Sequence, residues 1–336
     1  MSLDIEKGPP AIATTGVEDS AVSCRRKRVV KMFASLIQYS ETSKQKASDS
    51  EALQNISSWP DFFALIGFHE LYLRSMYKAI IVEFVGTATF VYFHIAIINV
   101  SVQQYTYPPL PIAIAHAILL PLFIYQFAMS SGAHFNSLVT IASITTGHIP
   151  LVRGVLYVGA QIFGAVSGAS IMYQSIDPQT SELTRLGGCN TGNLEGKQAL
   201  AIEFFFSLIL LFPIYGLAFN LRQREVFGPI FPPILIGLML GLIIFASASL
   251  APAPYIGAGV NPSMCFGIAW AYSQTHLAGS SDVFKYQWVY WVGPIMASLV
   301  NCALYSSAPP FHETISVPED TLANDSDNHV VLKKAT

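Results

Sequence analysis

The stretches Ser131-Gly132-Ala133-His134-Phe135-Asn136-Ser137-Leu138 and Gly257-Ala258-Gly259-Val260-Asn261-Pro262-Ser263 carry one pattern twice. In each, small residues lead to an asparagine that opens a short, mostly apolar segment, about 136–146 and 261–272. Neither segment can cross a bilayer alone, because a helix rises about 1.5 Å per residue and the hydrocarbon core is about 30 Å thick. Two such helices placed end to end, entering from opposite faces, span that thickness with both N-termini at the centre. Asn136 and Asn261 then act as N-caps, and Pro262 sits at the first helical position, where a missing N–H costs nothing.

The context of each stretch repeats as well. Glu83-Phe84-Val85-Gly86-Thr87 precedes the first asparagine and Glu203-Phe204-Phe205-Phe206-Ser207 the second, at Glu-to-Asn separations of 53 and 58 residues. Around them lie six apolar runs long enough to span a membrane, roughly 79–100, 108–129, 154–173, 198–219, 229–251 and 286–307. Glu83 and Glu203 are the formally charged side chains inside these runs. Each unit holds three spans, an odd number, so the second copy is inverted relative to the first, an arrangement that places a functional site near the bilayer midplane. The fold class is an all-α polytopic membrane protein with six transmembrane helices and two re-entrant half-helices in inverted repeats.

Composition agrees. Only 12% of the 336 residues are Asp, Glu, Lys or Arg and the mean hydropathy is +0.47, against about 25% charged residues in soluble domains. With a net charge of −3 and no basic stripe through the main body, nucleic acid is not the partner; the lipid bilayer is. Lys and Arg set the orientation: the tails with the 2–3 and 4–5 connections hold 15 of the 18 basic residues, and Arg185, Lys197 and Lys285 make up the rest. The tails are therefore expected in the cytoplasm.

Residues 1–76 read as a cytoplasmic tail, 77–307 as a channel domain (repeat one about 77–175, repeat two about 196–307) and 308–336 as a second cytoplasmic tail. Residues 1–30 lack the apolar core of a signal peptide, so the first segment is expected to stay as a tail, largely disordered to about Ser58. Within it, Arg25-Arg26-Lys27-Arg28 leads into Val29, Met32, Phe33, Leu36 and Ile37 at helical spacing. That segment either lies on the inner leaflet or is a disordered basic stretch. Trp59 to Tyr77 reads as an interfacial lead-in to the first span.

Two positive dipole ends at the midplane disfavour a cation there, while the amides of Asn136 and Asn261 can donate to the oxygen of a neutral solute. Irregular backbone at that depth requires a water-filled path or burial in protein, so a pore is expected. Glu83 and Glu203, placed symmetrically, are assigned a structural role as acceptors for the backbone of the re-entrant connections, and His134 that of a loop brace. The orientation puts Cys189 in an oxidising compartment, with Cys265 and Cys302 at membrane depth. The cysteine spacing forms no zinc pattern or disulfide framework. Cys189 remains open between an inert residue, an inter-subunit bridge and a redox-sensitive thiol.

The twin asparagine motifs, the glutamate repeats, the Ser-Gly-Ala-His before the first asparagine and Trp288-Val289-Tyr290-Trp291-Val292-Gly293-Pro294 together resemble the aquaporin, or major intrinsic protein, family over about residues 77–307. Leu186-Gly187-Gly188-Cys189-Asn190-Thr191-Gly192 and Cys265 resemble its plant X-intrinsic-protein subgroup. Where the family carries Asn-Pro-Ala, this chain has Asn136-Ser137-Leu138 and Asn261-Pro262-Ser263, and Leu138 is expected to narrow or dry the centre. Met264 stands where the family has a filter arginine. Carried over by spacing from the two asparagines, the family's filter falls on His116, Ser249, Ala258 and Met264. The resemblance implies a pore for glycerol, urea, boric acid and hydrogen peroxide, with variable water permeability. It also implies a homotetramer at the plasma membrane, with no cofactor, no metal and no catalytic residue.

Rival readings are a secondary transporter, which needs ionisable coupling groups at the midplane, and a closed aquaporin-like protein with a structural or regulatory role, suggested by Leu138 and Met264. An enzyme would need a nucleophile, base and orienter at workable positions, and none are placed so.

Overall fold

The computed structural model describes residues 66–220, 227–251, 255, 257–275, 277 and 282–307. The segment Arg25–Ile37, the start of the Trp59–Tyr77 stretch and the tail from residue 308 lie outside the described residues. Two compact units are present. In the smaller, residues 66–73 and 147–153, a short 3-10 turn spans Phe68–Tyr72. Its Glu70 accepts from Arg153 Nε at 2.8 Å and Nη2 at 3.0 Å, a two-pronged pairing that fixes both side chains.

Among the described residues of the larger unit the regular elements are all helical. The helices, in chain order, are α1 (Arg74–Gln104), α2 (Pro109–Ser131), α3 (Ser137–Thr145), α4 (Leu151–Ser175), α5 (Pro178–Thr184), α6 (Gly196–Pro213), α7 (Phe231–Ser247), α8 (Pro262–Ser273) and α9 (Val289–Ser307). α6 continues as a π-helical turn, Ile214–Phe219, past the Pro213 that lacks a backbone N–H. Four helices, with α6 counted to Phe219, are long and apolar enough to cross a membrane, and α7 and α9 are shorter apolar helices. α2 opens on Pro109 and closes at Gly132, whose φ of 94° suits glycine as the terminator. α7 ends at Ser247 rather than running to 251 as the apolar run suggested; a turn at Ala248-Ser249 and the prolines that follow in the sequence stop it earlier.

Small residues four apart let helices cross closely. A Cβ on Gly168 of α4 would overlap the Ala88 carbonyl of α1, and a Cβ on Gly241 of α7 would lie 2.8 Å from the Ala113 carbonyl of α2. Outward faces carry exposed Ile81, Phe93, Ile114, Phe163, Phe205 and Leu242, as a lipid-facing surface requires.

The core divides into two clusters. Phe90, Val91 and Ile95 of α1 and Ala165 and Ala169 of α4 pack with Met264 and Ile268 of α8. Leu210 and Leu211 of α6 and Ile236 and Ile243 of α7 pack with Leu138 and Ala142 of α3. Each half-helix is therefore buried among the helices of the opposite repeat.

Candidate pore

The two half-helices begin alike. Asn136 Oδ1 accepts from Leu138 N at 2.8 Å, and Asn261 Oδ1 accepts from Met264 N at 3.3 Å. Their amides then cross: Asn136 Nδ2 donates to Val260 O at 2.9 Å, and Asn261 Nδ2 donates to Phe135 O at 3.1 Å. An amide nitrogen carries two hydrogens, so one from each asparagine remains after the crossing.

Phe135 and Val260, each immediately before its asparagine, hold φ of 45° and 44°. Bulky residues pay about 1 kcal/mol or more for this left-handed conformation, and the glutamates secure it. Glu83 accepts from Ser131 Oγ at 2.6 Å, His134 N at 3.0 Å, Phe135 N at 2.8 Å and Gln161 Nε2 at 2.9 Å. Glu203 accepts from Gly259 N at 2.6 Å and Val260 N at 3.0 Å. His134 also holds Thr140 Oγ1 through Nδ1 at 3.1 Å and stands edge-on to Tyr157.

A cavity of about 810 Å³ passes these groups. Asn136, Asn261, His116, Ser249, Ala258 and Met264 all line it. Met264 is 7% exposed; it stands one helical turn past Asn261 on the same face. Ala258 N donates to Ser247 Oγ at 2.9 Å. Ser249, beyond the end of α7, lies 2.8 Å from Tyr107 Oη.

Leu138 does not line the cavity, which corrects the expectation that it narrows the centre. It is fully buried in the second cluster, and Val139 takes the cavity wall instead. The reason is helical phase: the cavity face carries the cap and the residue three on, Asn136 and Val139, and likewise Asn261 and Met264. Ser137, Pro262 and Ser263 also turn inward to protein. The hydroxyls of Ser137 and Ser263 meet, and Ser137 Oγ further bonds Gln161 Oε1 at 3.0 Å.

A second correction concerns the cysteines. Cys189 is joined to Cys265 of α8 in a disulfide, with Cα atoms 5.1 Å apart, so it bridges within the chain and not between subunits. Leu183 and Thr184 at the end of α5, and Arg185 and Gly187 to Asn190 after it, line the cavity. Positive φ at Arg185 and Leu186 turns that backbone back inward. Cys302 is the free cysteine among the described residues, its Sγ 3.0 Å from Thr145 O.

Sequence reasoning missed His94. It lines the cavity from α1, with Nδ1 2.8 Å from His116 Nε2 and Nε2 3.1 Å from Gly187 O. The signal was available, since an ionisable residue inside an apolar span is expensive whether or not it is formally charged.

A cavity lined by two inward half-helix N-termini, whose connections are held by buried carboxylates, is the arrangement of a passive membrane channel. The sequence model described as Major intrinsic protein matches residues 70–305, and the chain belongs to that family, whose members are channels. Aquaporin PIP2-7 of Musa acuminata is 30% identical over 251 residues, covering 72% of this chain and 84% of that protein. Aquaporin-4 of Mus musculus is 29% identical, covering 72% and 70%. Among solved structures, the aquaglyceroporin from Plasmodium falciparum superposes with a TM-score of 0.58 at 22% identity, over 69% of this chain and 96% of that one.

Proposed function

We propose that the protein is a channel for small uncharged solutes larger than water, with glycerol, urea, boric acid and hydrogen peroxide as its substrates and water as a variable one. The observation that carries this reading is Met264 on the cavity wall one turn from Asn261. A thioether there presents no fixed charge and no strong donors, and pore selectivity depends on diameter, lining donors and electrostatic barriers. His116, Ser249, Ala258 and Met264 form the filter in this reading, and Asn136 and Asn261 supply the central donors. The closed, structural alternative loses one of its two supports with Leu138 buried away from the cavity. Residues 77–307 make the channel domain between cytoplasmic tails, in a homotetramer at the plasma membrane, in line with the likeness to X-intrinsic proteins.

The test is stopped-flow light scattering on vesicles holding the full chain, comparing glycerol and water permeability with a Met264→Arg variant. Glycerol flux well above empty vesicles, cut about tenfold or more by the longer charged side chain, is the expected outcome; a tenfold loss corresponds to about 1.4 kcal/mol of added barrier. Flux that saturates with solute concentration would indicate a carrier, and flux equal in variant and parent would remove Met264 from the filter.

A further inference from the structure

His94 and His116 face each other across the cavity wall, and their hydrogens can be counted. His94 Nε2 stands 3.1 Å from the Gly187 carbonyl and His116 Nδ1 stands 2.8 Å from the Ile112 carbonyl. A carbonyl oxygen only accepts, so each of these nitrogens must carry a hydrogen. The remaining contact, His94 Nδ1 to His116 Nε2 at 2.8 Å, needs one hydrogen between the two atoms. Three contacts therefore require three hydrogens, whereas two neutral imidazoles bring two. In the neutral pair one contact must fail: two lone pairs oppose each other, or a lone pair faces a carbonyl. With one added proton all three contacts close at once.

We propose that His94 and His116 form a single proton-binding unit in the pore wall, one shared proton giving the pair a charge of +1 beside the position where Met264 supplies none. Both rings are largely buried, at 8% and 2% exposure, and a buried charge is tolerated only when its hydrogen bonds are complete. The third proton is what completes them. The rings meet edge-on with centroids 5.0 Å apart, and Phe90 closes on His116 from α1, so neither imidazole has an apolar escape that keeps the contact.

The ionisable groups facing the cavity from neighbouring elements are Arg185, on the turn that presents Gly187, with Tyr107 before α2, Tyr255 in the connection to α8, and His134. α6, α7 and α8 present none of these to the wall among the described residues. Arg185 adds a positive charge on the turn that presents Gly187, and acidification is the direction in which the pair gains its shared proton. A positive charge at this constriction repels cations while leaving a neutral solute its path. Cation leak is therefore lowest in acid, and His94 becomes a specificity-determining residue of the pore. That consequence rests on the channel reading above; the shared proton does not.

The experiment keeps the two apart. The full chain, with ¹⁵N-labelled histidine, is reconstituted in lipid and followed by solid-state NMR as pH is lowered. One imidazolium out of the eight histidines should appear with a hydrogen bond coupling two ring nitrogens, and should be missing in His116→Gln and in His94→Gln. A glutamine amide at 116 can donate to His94 Nδ1 without an extra proton, so that variant keeps the contact and loses only the charge. Potassium leak and glycerol flux are then measured on the same vesicles. The expected result is potassium leak that falls severalfold on acidification in the parent and stays flat in both variants. An imidazolium spectrum unchanged by either substitution would overturn the shared proton even if glycerol passes. Absent glycerol flux with the coupled imidazolium present would overturn the channel reading alone.

Discussion

The two re-entrant connections reach one geometry by different means. The first, residues 131–136, hangs on Glu83, which gathers four donors: two backbone amides, the Ser131 hydroxyl and the Gln161 amide. The second, residues 257–261, gives Glu203 two backbone amides and adds a covalent tie one turn into α8, the Cys189–Cys265 disulfide. One connection is held by a saturated carboxylate, the other by a half-used carboxylate and a cross-link. A strained αL residue before each cap must be over-determined by its surroundings, and the second connection has a disulfide one turn on where the first has two further hydrogen bonds to its carboxylate.

The comparison is broken most directly at the carboxylates. Glu83→Ala leaves four donors without their acceptor, and at about 1–3 kcal/mol for each buried orphan it should destabilise by about 5 kcal/mol. Glu203→Ala, with two donors lost, should cost about 3 kcal/mol. Thermal inactivation followed by size-exclusion chromatography in detergent ranks the two; equal losses would mean that the disulfide does not share the second connection's burden.

Removing that disulfide falls between the two carboxylate losses in size. Closing a loop with a sequence separation of 76 residues is worth about 4.5 kcal/mol in the chain-entropy treatment, an upper value that native-state strain reduces. Cys265→Ser, or a strong reductant, should therefore lower the melting temperature of the Glu203→Ala variant by several degrees more than that of Glu83→Ala. Identical shifts in the two backgrounds would show that the cross-link acts on the whole fold rather than on the second connection.

The asparagines sharpen the comparison from the pore side. An aspartate at either position places a carboxylate where the amide had donated across the pseudo-symmetry, to Phe135 O or Val260 O. Asn261→Asp should reduce solute flux and admit cations, because its charge offsets the positive helix ends, and Asn136→Asp should do the same. Ion conductance in planar bilayers reads both, and parental conductance and flux in both variants would refute a midplane built from paired dipole ends.

The smallest effect lies at α5, which leads into the turn carrying Cys189. Asp177 caps this helix, and the Thr180 hydroxyl and amide hold its carboxyl below the ordinary carboxylate range. A depressed carboxylate contributes fully above its unfolded value and loses that contribution as pH falls through the folded one. Hydrogen-exchange protection across residues 178–190, corrected for the intrinsic pH dependence of exchange, should fall in acid for the parent and be low at every pH for Asp177→Ala. Equal exchange in parent and variant at neutral pH would remove the cap from the account.

Much of this was legible in the residues. Span positions followed from length and apolarity, and the half-helices from two asparagines at matched distances from two glutamates. The Glu83 and Glu203 positions stood out because charge at membrane depth is costly. What was not legible has a common physical cause, long-range placement that no local period encodes. Leu138 follows the helix phase into the core, but which phase faces the cavity depends on where α6 and α7 lie. Gly187 and Gly188 mark a turn before Cys189, but the left-handed Arg185 and Leu186 that aim it inward toward Cys265 carry no local signal. His94 and His116 are 22 residues apart on different helices, and only packing makes them neighbours.

The crossed amides also set a clock. Asn136 finds its partner carbonyl on Val260, 124 residues further along the chain. At a synthesis rate of about 5–20 residues per second, the first cap waits on the order of ten seconds for the group that completes it. Throughout that interval α3 lacks both its crossed hydrogen bond and the α6 and α7 side chains that bury Leu138. The half-helix that opens the pore in space is thus among the last elements to settle in time, and the newborn chain must shelter it until its other half emerges.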